Sequence, residues 1–64
     1  MKTYLVSFRD KKTLLTKKEV KVNYDEEAVK KTPKVLVLAA LEELTRRGET
    51  LPNSSKTTWS WREF

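Results

Sequence analysis

Apolar residues change their period twice along this chain, and that change constrains the fold more than any single residue does. Tyr4, Val6 and Phe8 alternate with Leu5, Ser7 and Arg9, and Val20, Val22 and Tyr24 alternate with Glu19, Lys21 and Asn23. Successive strand side chains point to opposite faces, so period-two patterning predicts strands over about residues 3–9 and 16–24. The second would carry a wet face of Lys17, Glu19, Lys21 and Asn23. From residue 33 the period lengthens. Val37, Ala40, Leu41 and Leu44 fall on one stripe at 100° per residue, flanked by Leu36 and Leu38, which predicts a helix over about 33–47 with that stripe on the sheet. Alternation returns at the end, where Trp59 and Trp61 share one face of a strand over about 56–63.

Local chemistry agrees with these elements. Asp10-Lys11-Lys12-Thr13 has no apolar residue, and Asp favours turn initiation, so a hairpin joins the first two strands. There is no Asn-Gly signal, which leaves its loop length and register open. Asp25 to Lys31 places acids first and bases last, as the helix dipole favours. Pro33 disfavours a helical Thr32, which limits that helix to one or two turns. Thr32-Pro33 suits the start of the main helix. Gly48, the only glycine, sits where a left-handed cap ends it. Glu42–Arg46 and Glu43–Arg47 are spaced for helical ion pairs. The expected fold is α+β: one compact domain over 1–64, ordered strand-strand-helix-strand, with a three-stranded mainly antiparallel sheet and one main helix packed on one face.

Composition narrows the chemistry. The 64 residues include no cysteine and no histidine. No disulfide can staple the domain, and a zinc site would lack its usual thiolates and imidazoles. Ser-His and Cys-His nucleophile pairs are impossible, and most of the carboxylates stand beside Lys or Arg. A chain this short hardly forms the cleft that a paired-carboxylate hydrolase needs. The expectation is a non-catalytic protein with no cofactor and no metal. The longest apolar run, Val35 to Leu41, is far below the ~18 residues of a membrane span, and the first residues lack a signal-peptide pattern. A soluble cytoplasmic protein without a membrane partner is expected.

Charge and aromatic residues supply the candidate sites. Residues 1–24 hold seven bases and two acids, so the whole formal excess of +5 lies there. Lys11, Lys12, Lys17, Lys18 and Lys21 could form a rim for phosphates or an acidic partner. Equally, they could be solvated lysines that blunt a strand edge. With almost no arginine among them, sequence-specific readout of bases is not expected. On the helix, Val35 falls opposite the apolar stripe. It is either a lone exposed valine, which is common, or part of a contact surface with Leu38 and Ala39 for a weak homodimer or another protein. Trp59 and Trp61 are expected in the core, with stacking or interface anchoring as alternatives. The other side of that strand presents Thr58, Ser60, Arg62 and Phe64, and Arg62 and Phe64 join the candidate protein-binding residues as parts of an edge suited to β-addition.

No GxxG clamp, phosphate loop, zinc finger or ribonucleoprotein-type aromatic signature is present. The best functional expectation is a small protein-binding module, an inhibitor or antitoxin-like regulator of a host factor. The alternatives are a nonspecific nucleic-acid binder using the lysine-rich hairpin, and a stable designed or model domain with no natural partner. In size and layout the chain resembles small phage-encoded accessory proteins. That resemblance implies a compact antagonist of a host factor and assigns no residue.

Overall fold

The computed structural model describes residues 1–53 and 55–64. Its elements are β1 (Lys2–Asp10), β2 (Thr16–Tyr24), α1 (Glu26–Lys31), α2 (Lys34–Arg46) and β3 (Thr57–Glu63). β1 is central in a sheet of order β2-β1-β3, antiparallel to both neighbours. The α+β class and the single main helix on one sheet face are as the periodicity predicts.

Asp10 builds the hairpin. Its carboxylate accepts the N–H groups of Lys12 and Thr13, and its backbone closes the loop against Leu14 and Leu15. The loop ends on Leu14 at φ +61°, the left-handed region where a side chain costs about 1–2 kcal/mol. An irregularity between Phe8 and Arg9 follows in the β1–β2 register. At the end of α2 Gly48 has φ +75°. Its N–H bonds Thr45 O at 3.0 Å and that of Glu49 bonds Leu44 O at 3.0 Å, the paired closure of a Schellman cap. Glu43, not Glu42, collects the ion pairs at this end, from both Arg46 and Arg47.

The core lies between α2 and one sheet face. Tyr4, Val6, Phe8, Val20 and Val22 meet Leu36, Ala40, Leu44 and, from α1, Val29. The buried line of α2 is therefore Leu36–Ala40–Leu44, and Val37 and Leu41 are only half-buried at its margin. This corrects the expected stripe by a rotation of α2. The helix is apolar around most of its circumference from Val35 to Leu41, so spacing alone leaves its centre undetermined. Ala40 settles it, because its small side chain lets the helix close onto the sheet between two leucines. Each fully buried leucine contributes about 1.5–3 kcal/mol. The same rotation brings Val35 and Ala39 half into the core margin and leaves Leu38 55% exposed.

Candidate functional site

The position of α2 makes the two sides of the sheet unequal. The helix packs over β2 and β1 and leaves the same face of β3 largely uncovered. Trp59 and Trp61 point to that face, opposite Phe8 and Val6 of β1. They remain 37% and 39% exposed and lie outside the core cluster, which corrects the expectation of core tryptophans, because α2 does not extend over β3 far enough to cover them. Trp61 packs edge-on against Tyr4 at 5.7 Å between centroids. Trp59 lines a groove of about 460 Å³ with Phe8, Val37, Leu38, Leu41 and Pro52. Thr57 also lines it, and its hydroxyl is buried without a hydrogen-bond partner among the described residues. A larger groove of about 760 Å³ lies beside β2, but Glu42, Glu43, Arg46, Lys21 and Asn23 line it. The smaller, apolar groove is the better protein-binding candidate, because desolvating it costs little.

β3 is also an edge strand. The N–H of Phe64 bonds Thr3 O, and the N–H of Lys11 bonds Lys56 O, each at 3.0 Å. Even-numbered residues from 56 to 64 thus aim their backbone groups at β1. By strand alternation, the N–H and C=O groups of Thr57, Trp59, Trp61 and Glu63 point outward, and no described residue pairs with them. Lys2 anchors the end of this strand. Its Nζ lies 2.6 Å from Glu63 and 3.2 Å from Glu26. Hydrogen bonding to Glu63 and then to Glu26 pushes the Lys2 pKa up to about 12. The Glu26 carboxyl is held below its ordinary value, first by Lys2 and then by Lys30.

The five candidate lysines do not converge on one surface. Lys17 pairs with Asp10 at 3.4 Å, and Lys18 with Glu49 at 2.9 Å. Backbone N–H groups of Thr13 and Lys12, more than Lys17, hold Asp10 below its usual pKa, whereas Lys18 is the main cause for Glu49. Lys21 sits on the sheet face away from the helix, 3.9 Å from the centre of the Phe64 ring. Only Lys11 and Lys12 remain at the hairpin tip with no ion pair among the described residues.

The protein-binding candidates divide likewise. Leu38 belongs to the groove, Val35 and Ala39 lie elsewhere on α2, and Arg62 and Phe64 are on the open sheet face. There Lys21 and Arg62 stand opposite Leu5, and Glu19 and Ser60 opposite Ser7, leaving Leu5 and Ser7 buried under longer neighbours. Ser7 Oγ donates to Glu19 at 3.2 Å. Leu41 and Pro52 are not singled out as binding residues by spacing, and Trp59 is so only as the alternative to a core role. The available signal was a wide apolar arc on the helix followed by two tryptophans on one strand, more apolar surface than one sheet face can bury.

Among the described residues no cluster of acids could hold a metal ion, and no helix is long and apolar enough to cross a membrane. No family model matches the chain, and no curated protein or solved structure matches it.

Proposed function

We propose that the chain is a non-catalytic protein-binding module that takes an extended segment of another protein along the outer edge of β3. The carrying observation is that β3 is paired on one side only, with two half-exposed indoles beside an apolar groove. Strand addition would draw affinity from the outward main-chain groups and selectivity from the groove. Trp59 is the anchor of choice, since tryptophan is among the commonest hot-spot residues. The net charge of +5 favours a segment with acidic residues around its apolar anchors. Capturing a segment that a target needs elsewhere is how an inhibitor or antitoxin-like regulator of this size would act, and a chain without cysteine suits the reducing cytoplasm.

Nonspecific nucleic-acid binding by the hairpin has less support, because two of its five lysines are ion-paired and a third lies against Phe64. The test is selection of binders from a displayed library of extended peptides, followed by amide and indole chemical-shift mapping. Selected peptides should shift β3 amides and both indole N–H signals, and Trp59→Ala should weaken them by roughly tenfold or more. Binders that move only the Lys11–Lys18 hairpin and vanish with added salt would overturn this reading.

A further inference from the structure

We infer that β3 pairs antiparallel with β3 of a second copy of this chain, about a two-fold axis through Ser60, to form a continuous six-stranded sheet. The inference deepens the reading above, because it uses the same edge and names an occupant for it when no other segment is bound.

Strand geometry selects the register. Only Thr57, Trp59, Trp61 and Glu63 direct backbone groups outward, so an added strand must set outward residues opposite outward residues. Centring on Ser60 places Thr57 against Glu63 and Trp59 against Trp61 of the second copy. Every outward group of the strand Thr57–Glu63 then finds a partner, whereas a shift of the axis along the strand leaves some unpaired. The charge pattern fits the same centre. Arg62 meets Thr58 and Glu63 meets Thr57, so no like charges stand directly opposite. Glu63 of one copy also arrives beside the Thr57 whose hydroxyl lacks a partner. The two indoles of each copy face those of the other, and directly opposed aromatic pairs are among the most favourable cross-strand contacts. Two-fold self-complementarity of this kind is what an isologous interface requires.

The opposite edge offers no such arrangement. β2 carries Lys17, Lys18 and Lys21 within nine residues, and lysine on an edge opposes strand addition. One strand pairing is small by interface standards, so the dimer should be weak and dependent on concentration.

Sedimentation velocity from about 1 μM to about 1 mM covers the range expected for such an interface. The mass should rise from one copy towards two. Ser60→Lys sets two lysines face to face on the axis, away from the core, and should weaken self-association roughly 2–5-fold. Ser60→Glu alone should do the same, and an equimolar mixture of the two variants should associate more tightly than either by itself. Thr57→Pro removes an outward N–H at the first strand position, where proline is tolerated, and should weaken the dimer further. Unchanged circular dichroism establishes that each variant is folded. A wild type that stays monomeric throughout would overturn the dimer. So would a dimer indifferent to Ser60→Lys and Thr57→Pro but lost in Leu38→Glu. Peptide capture by β3 in a strictly monomeric protein would leave the functional reading intact while removing this inference; a dimer without peptide capture would do the reverse.

Discussion

The two edges of this sheet are built from the same kind of strand and finished in opposite ways. β2 has α2 above it, lysines along it and a polar groove beside it. The same face of β3 is largely uncovered, with two half-exposed tryptophans and an apolar groove at the margin of α2. Both strands pair antiparallel with β1, the β1–β2 ladder with one irregularity at Phe8/Arg9 and the β1–β3 ladder without one, so strand pairing alone does little to distinguish them. Placement of a single helix does. A helix of 13 residues is about 20 Å long and 10 Å wide, enough to cover two strands of a three-stranded sheet but not three. The third is left either to solvent or to another chain. Lysine on one edge and tryptophan on the other would direct any association to a single side.

The largest expected effect tests how far α2 leans towards β2. Leu36→Ala and Leu44→Ala should each cost about 2–5 kcal/mol in urea unfolding, because each empties a fully buried site. Leu41→Ala, at the groove margin, should cost about 1–2 kcal/mol, since its side chain is only partly buried. Leu38→Ala should stay below about 0.5 kcal/mol. Equal costs at Leu41 and Leu44 would place α2 over the middle of the sheet and remove the contrast between the edges.

Period and local chemistry made the strands, both helices and the Gly48 cap readable, because each depends on residues close in sequence. The lean of α2 was not readable in the same way. Val37 and Leu41 have as good a claim to the core by spacing as Leu36 has, and only the sheet under Ala40 decides among them. The contact between Lys21 and Phe64 was equally hidden, since it needs the strand order β2-β1-β3, which brings the two edge strands to opposite sides of β1. The lysines were visible as a run but not as a surface. Their partners Asp10 and Glu49 lie on other elements, and Glu49 is far away in sequence. The β3 edge could be anticipated as a site of strand addition from its alternation, but its uncovered helix-side face could not.

A smaller effect sharpens the guarded side. Leu14 holds a left-handed backbone while 61% exposed, and Leu15 beside it is 69% exposed, so packing offsets little of the cost. Leu14→Gly relieves about 1–2 kcal/mol of side-chain strain and returns part of it through the greater freedom of the unfolded chain. A net gain of about 0.5–1 kcal/mol in urea unfolding is expected, with peptide capture and self-association at β3 unchanged. A loss of stability would mean that the leucine pair contributes packing to the hairpin. A loss of binding would place the contact surface at the β2 end of the molecule and reverse the comparison.

The smallest effect separates the edges by pH. Glu49 ties the loop after α2 to Lys18 of β2, and Glu26 shares Lys2 with Glu63 of β3. Glu49 and Glu26 are both depressed in the fold, so their contributions are fully present above the ordinary 4.5 and are lost as pH falls through the folded values. Lys2 moves the other way. Raised to about 12 from 10.5, it contributes fully below 10.5 and loses that contribution as pH rises through about 12. Stability supplied by these pairs should therefore be level across the neutral range, decline in acid at both edges, and decline in alkali at the β3 edge through Lys2. Glu49→Gln should reduce the acid slope and leave the alkaline one. Lys2→Met should reduce both. These pairs are exposed, so the slopes should be shallow and flatten further in high salt. Thermal unfolding of the two variants and the wild type across pH, at low and high salt, measures this directly. Burial also raises the Tyr4 pKa, so that group leaves a residual alkaline slope of its own. An alkaline slope undiminished by Lys2→Met would mean that Lys2 is not the group holding the end of β3 in place.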